Sequence, residues 1–442
     1  MKRKRNTFTT LVSILLISAL SLSLTACGNE KASMDRSVGN AVPAAEANGA
    51  IAPDYAVDAE YFDAPSFEED SIAYEWADEG GDSGHIIGEV PQSNVRSGML
   101  TCGEWRDNYN WEEWIGVLNS STAWQSQPMR WKLYPSSRLI VDVKDEDGNP
   151  IQGATVSGTR AHQENEVWVA TTDHNGRAYF FEEDGNVQST NKIDKFTASL
   201  NGVYASIERQ DGDSYFVHEI VLAGTKPLAK SLDLMLVLDT TASMGSELEY
   251  LKAELEDVIK TVRNDNGNIP VRLSVNFFRD KGDDYVVLPH EFTTDISAAM
   301  EILRQQSAGG GGDWPEALDE ALIDAVFEKD WAEDSVKVML LVTDAPAHNR
   351  PDAIANLQKS IRQAAALGIR IVPILASGSG GALLDLDVEF LLRTFAVQTG
   401  GTFLFLTEHS GIGSDHKQPT IGGYQVEMLN RALVRIINMY CA

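Results

Sequence analysis

The sequence predicts an α/β fold: a doubly wound, mostly parallel sheet over residues 232–442, preceded by a small antiparallel β-sandwich over residues 136–223. Three observations carry this. From Asp233 onward, apolar runs of strand length alternate with amphipathic segments of helical period, the pattern of a parallel sheet covered on both faces. Residues 136–223 instead show short alternating segments broken by turn sequences. Ahead of both lies a stretch whose composition cannot support a core.

The chain begins MKRKRNTFTTLVSILLISALSLSLTACGNE. A basic start, an apolar run from Leu11 to Leu24 and small residues before Cys27 make residues 1–26 a secretory signal, too short to span a bilayer comfortably. The ending LTAC resembles the lipobox of bacterial lipoproteins, which implies cleavage before Cys27 and lipidation of that residue. The expected location is the cell envelope, with the mature protein held to the membrane by lipid on its extracytoplasmic face. Residues 27–96 read as an acidic, disordered tether, with fifteen carboxylates against three basic groups. Of the remaining cysteines, Cys102 and Cys441 stand near the two ends of the folded part, and an oxidising compartment would favour a bridge between them.

Residues 97–135 form a connecting segment with five tryptophans between Trp105 and Trp131, expected to pack against a neighbour and to join the domain that follows. In that domain, SRLIVDVKDEDGNPIQGATVSGT reads as two strands about a DGNP turn, and VWVATTDHNGRAYFF as two strands about an Asn-Gly turn. The paired turn motifs resemble carboxypeptidase regulatory-like and related immunoglobulin-like modules, which implies a spacer or presentation role.

In the C-terminal part the strand candidates are LDLMLVLD, VRLSVNFFRD, DYVVLPHEFT, KVMLLVTDA, IRIVPILAS and GTFLFLT. Helices are expected over ELEYLKAELEDVIKTV, PEALDEALIDAVFEKD and AIANLQKSIRQAAALG, with YQVEMLNRALVRIINMY closing the chain. Ligands of such sheets bind at the carboxyl ends of the strands, where Asp239 and Asp344 fall.

After the first of these strands, Asp239, Thr241 and Ser243 stand on alternate positions of DTTAS. Carboxylate and hydroxyl oxygens around water suit Mg²⁺, which keeps several waters and wants an octahedral shell. An aspartate followed by hydroxyls is also a common helix N-cap, but further carboxylates at the same edge call for a counter-ion. At these residues the chain resembles the von Willebrand factor A family. Its metal-ion-dependent adhesion site joins a DxSxS motif to a threonine on a second loop and an aspartate on a third. The resemblance implies that Asp239, Thr241, Ser243 and Asp344 serve a metal site for Mg²⁺, with Mn²⁺ or Ca²⁺ as alternatives. The stretches FFRDKGDD, GGGGDWPEAL, TDAPAH and EHSGIGSDHKQP are similar to those of a bacterial branch of the family. Two departures stand out: Thr241 replaces a serine, and the second loop offers Asp313 in place of the threonine. In adhesive members the partner supplies a carboxylate to the ion; an added charge from Asp313 would weaken that step. Asp280 is expected to play a structural role beside Arg279 or at the rim, and His348 to be a surface donor. His409 and His416 share a glycine-rich loop but lack a closer partner for zinc.

A formal charge of −29 argues against nucleic acid as a partner. A phosphohydrolase of the haloacid-dehalogenase-like type is the main rival, resembled by LMLVLDTTAS. Thr241 stands where most of those enzymes carry an acid, and no nucleophile elbow or lysine-bearing phosphate loop is found. A structural module with a purely stabilising metal is the third reading. The expectation is thus a lipid-anchored, non-enzymatic protein that presents a metal-dependent binding domain to a protein ligand.

Overall fold

A computed structural model describes residues 95–160, 166–182, 192–210, 217–223, 231–267, 269–312, 314–376, 381–412, 416 and 418–442. The signal, Cys27, nearly all of the tether, and Asp313 lie outside the described residues.

The tryptophan-rich segment supplies β1 (Thr101–Trp105), α1 (Trp111–Leu118) and α2 (Thr122–Trp131). The sandwich follows: β2 (Arg138–Lys144), β3 (Thr155–Thr159), β4 (Glu166–Thr171), β5 (Arg177–Phe181), β6 (Lys195–Leu200), β7 (Val203–Glu208) and β8 (Val217–Val221). One sheet has the order β5-β2-β8 and the other β4-β3-β6-β7. The two turn motifs are therefore not hairpins, as the sequence had suggested. Each carries the chain from one sheet to the other, because β2 pairs with β5 and β3 with β4. The DGNP turn is closed by Asp145, two residues ahead of it, whose carboxylate accepts from the Asp147 and Asn149 amides at 2.9 and 2.8 Å. That local bonding leaves the flanking strands free to part. The β2–β8 pair is parallel, an exception to the expected antiparallel pattern.

The α/β layers comprise β9 (Ser231–Asp239), α3 (Gly245–Asp265), β10 (Val271–Phe278), β11 (Val287–Leu288), α4 (Ile296–Gln305), α5 (Leu318–Phe327), β12 (Ser335–Thr343) and α6 (Pro351–Leu367). They continue with β13 (Ile369–Leu375), α7 (Ala382–Thr399), β14 (Phe403–Leu406), β15 (Val426–Met428) and α8 (Leu429–Cys441). The eight-stranded sheet has the order β11-β10-β9-β12-β13-β14-β1-β15. Its five central strands, β10 to β14, run parallel. Eight of the nine residues of β9 are buried, which is why that strand reads as a continuous apolar run. One apolar cluster beneath α3, α4 and α8 covers one face, and a second, shared with the sandwich and the tryptophans, covers the other.

Four expectations are corrected. The stretch DYVVLPHEFT contributes only the two-residue β11. The closing segment opens as a strand, β15, before α8 begins. The tryptophan-rich segment does not join the sandwich alone, since β1 pairs antiparallel with β14 and β15 and extends the large sheet beyond its parallel strands. Finally, Cys102 and Cys441 are both free. Cys102 is held in the ladder opposite Leu406 and Glu427, and Leu429 donates its amide to the Leu100 carbonyl at 2.9 Å, so strand pairing ties the chain's end to β1. Burial pushes the Cys102 thiol far up and the Cys441 thiol up to about 12, which leaves both protonated, Cys102 in the core and Cys441 partly buried against it.

Candidate metal centre

The strand order reverses between β9 and β12, because β9 connects to β10 on one side while β12 and β13 continue on the other. A crevice opens outside the carboxyl ends of strands at such a switch point. Leu238 is in register with Val342, so Asp239 and Thr343 leave the ladder side by side.

Asp239 is fully buried. Its Oδ1 accepts from the Thr241 amide at 2.9 Å and the Thr241 hydroxyl at 2.6 Å, and its Oδ2 accepts from the Thr343 hydroxyl at 2.8 Å. Burial raises its proton affinity, and these three bonds with the nearby Arg279 charge oppose the rise. The Thr241 and Ser243 hydroxyls stand 3.2 Å apart. The first loop thus presents two neighbouring hydroxyl oxygens over a carboxylate that fixes one of them. Sequence reasoning missed Thr343, whose only signal was a hydroxyl one position before the third-loop aspartate.

Asp344 is 1% exposed, and neither of its carboxylate oxygens receives a hydrogen bond of acceptable geometry. Ser243 lies near enough to favour its charged form, yet burial and the Asp239 and Glu247 charges push the carboxyl up to about 8. An orphaned carboxylate in such a place is costly, by roughly 1–3 kcal/mol or more, unless something positive meets it. Arg279 is not that group. Its guanidinium donates to the Thr240 and Ser307 carbonyls at 3.1 and 2.9 Å and stacks on Tyr285.

The second loop is brought against the first by its backbone. Gly309 donates to the Thr240 carbonyl at 3.0 Å, and Gly311 to the Asp283 carboxylate at 2.8 Å. Gly310 and Gly311 both take positive φ, which the loop needs to fold back here. Further along, Glu316 donates its amide to the Pro346 carbonyl at 2.9 Å, two residues beyond Asp344. Its side chain is buried, with Oε2 unpartnered, and Oε1 lies with the Thr241 Cβ against Gly311. Burial and the Asp239, Asp280, Asp344 and Asp283 charges push Glu316 up to about 10. Sequence reasoning read this glutamate as part of a helix start; the Pro-Glu pair ahead of α5 resembles an ordinary first turn.

The other candidates lie around this centre. Asp280 pairs with His348 at 2.7 Å and not with Arg279. His409 is exposed, while the buried His416 side chain stands 3.9 Å from Glu247 and 3.5 Å from Glu408. Among the described residues, no three His, Cys, Asp or Glu side chains gather closely enough to hold an ion by themselves. The fit is instead to a mixed set: the Thr241 and Ser243 hydroxyls, with Asp239, Asp344 and Glu316 one layer out. A cation that keeps several waters suits that spacing.

Residues 233–388 match the family model of the von Willebrand factor A domain. Over 133 residues the chain is 28% identical to a putative ariadne-like RING finger protein of Acanthamoeba polyphaga mimivirus, a match covering 29% of this chain and 12% of that relative. Two solved structures are also similar. The conserved hypothetical protein BatB of Bacteroides thetaiotaomicron aligns at 14% identity and TM-score 0.33, over 48% of this chain and 100% of that one. An aerotolerance-related membrane protein of Bacteroides fragilis aligns at 16% identity and TM-score 0.30, over 47% and 98%. The family match spans β9 to the start of α7 and so takes in the switch-point loops; residues 233–388 are the part of this chain that is similar to a von Willebrand factor A domain.

Proposed function

We propose that this chain is a lipid-anchored, extracytoplasmic protein whose von Willebrand factor A domain binds a protein partner through a divalent cation. Mg²⁺ is the cation the donor set favours, with Mn²⁺ and Ca²⁺ as alternatives. The observation that carries this reading is Asp344: a buried carboxylate with both oxygens orphaned, across from Asp239, with Arg279 bonded elsewhere. When bound, the cation would offset the converging carboxylates and offer a coordination position to the partner. Thr241 and Ser243 would hold it, Asp239 would orient Thr241 through the 2.6 Å bond, and Asp344 would act through water or through Ser243. Both Asp239 oxygens are already engaged, which favours holding a charge over attacking a phosphate. Cys27 would carry the lipid, residues 27–96 the reach, and the sandwich, similar to carboxypeptidase regulatory-like modules, the spacing from the membrane.

Calorimetric titration of Mg²⁺, Mn²⁺ and Ca²⁺ into the purified protein, beside Asp239→Ala, tests the centre. Loss of one of these supporting groups should weaken Mg²⁺ binding by about tenfold or more. Equal cation affinity in the two proteins would refute the assignment.

A further inference from the structure

The second loop departs from its family's pattern, and the described part of it places one acid at the centre. Glu316 is 3% exposed, its Oε2 has no partner, and its backbone is pinned to the Asp344 loop through Pro346. Its Oε1 and the Thr241 Cβ each lie 3.4 Å from where a side chain on Gly311 would start. Acids that merely crowd a surface turn toward water, but this one is buried beside a second orphaned acid, Asp344. Two buried carboxyls with unpartnered oxygens, on separate loops joined by the Glu316–Pro346 backbone bond, call for the same counter-charge.

We infer that Glu316 is the second-loop acid of the metal centre and sets its charge, so that the loaded site takes a neutral or basic group of the partner and not a carboxylate. This rests on the metal-dependent reading proposed above. Once the ion displaces their protons, Asp239, Asp344 and Glu316 together outweigh its two charges, and the Asp280 and Asp283 charges act on Glu316 as well. An incoming carboxylate would meet net negative potential, whereas a Lys or Arg side chain or an amide oxygen would not.

The test measures Mg²⁺ affinity and metal-free melting in the wild type, Asp239→Ala, Glu316→Gln and Asp313→Asn, with near-UV circular dichroism as the folding control. Glu316→Gln keeps shape and an acceptor oxygen while removing charge, so it should lower Mg²⁺ affinity by about tenfold. It should also raise the metal-free melting temperature, because the cost of burying this acid, by taking up a proton or by keeping a charge among other carboxyls, is removed; a glutamate with a merely structural role would lower it. Added acetate should leave the wild-type Mg²⁺ affinity unchanged. Should Asp239→Ala lose the ion while Glu316→Gln keeps it, or Asp313→Asn alone carry the loss, this inference falls and the metal centre stands. Acetate that tightens Mg²⁺ binding to the wild type overturns the partner chemistry. No effect of Asp239→Ala would remove the metal centre itself.

Discussion

Asp344 and Glu316 hold protons in the metal-free fold that the unfolded chain would release near the ordinary carboxylate values of 3.8 and 4.5. The folded-state affinities are about 8 and about 10, so the folded protein binds more protons than the unfolded chain throughout the interval between. Stability contributed by these groups is complete below the unfolded values and is lost as pH rises toward the folded ones. The metal-free protein should therefore melt at a lower temperature at about pH 9 than at about pH 5, and saturating Mg²⁺ should flatten that decline. Scanning calorimetry in chelator across this range checks it; a metal-free melting temperature that climbs toward pH 9 would contradict the burial of these acids. At this scale the sequence was legible where chemistry repeats a spacing. Asp239, Thr241 and Ser243 announce themselves on alternate positions. Thr343 and Glu316 do not, because their roles come from backbone contacts between loops far apart in the chain, such as Glu316 to Pro346.

Among the elements, those with one-dimensional signals were read well and those defined by partners were not. The strands β9, β10, β12 and β13 follow from apolar runs that a doubly covered sheet demands. By contrast, α7 shows no apolar stripe because fourteen of its eighteen residues are buried, so nothing in its period marks a solvent face. Its buried Arg393 explains how the tryptophan-rich segment is held. The guanidinium donates to both oxygens of Asp107 at 2.9 and 2.6 Å and to Glu389 at 3.0 Å, and lies 4.5 Å over the Trp114 ring. Removing Asp107 leaves the guanidinium with Glu389 and strips two buried charge-assisted hydrogen bonds, each contributing roughly 1.5–3 kcal/mol. Asp107→Ala should cost about 3–5 kcal/mol in urea unfolding. A change below about 0.5 kcal/mol, the scale of an exposed pair, would mean that α1, α2 and β1 are secured by packing alone.

In the whole molecule the sandwich and the α/β layers are joined in structure through a shared apolar cluster. Asp239, Thr343 and Asp344 lie at the carboxyl ends of the parallel strands, whereas the sandwich docks near the opposite ends. Arg370, at the start of β13, donates to the Thr171 carbonyl of β4 at 2.7 Å and to the Thr399 carbonyl of α7 at 2.8 Å. Thr171 in turn donates its hydroxyl to the Ala366 carbonyl at 2.7 Å, and Arg362 stacks 4.8 Å from the Trp168 ring. The turn at Gly400, with φ +66°, brings the backbone close to Arg370 and Tyr179, leaving little room for a side chain. A sandwich so placed leaves the loops after β9 and β12 uncovered. Hydrogen bonds from a buried charge contribute roughly 1.5–3 kcal/mol, and here they add to the apolar cluster that the sandwich and the α/β layers share. The intact protein should then unfold in one transition, with amides of β3 and β12 exchanging together. Arg370→Ala should split the transition, lowering protection in β3 before β12, while Mg²⁺ affinity at the far edge stays within about twofold because distant sites act independently. Hydrogen exchange with and without Mg²⁺ reads both outcomes. Loss of metal binding in Arg370→Ala would mean that the sandwich shapes the centre and does not merely present it.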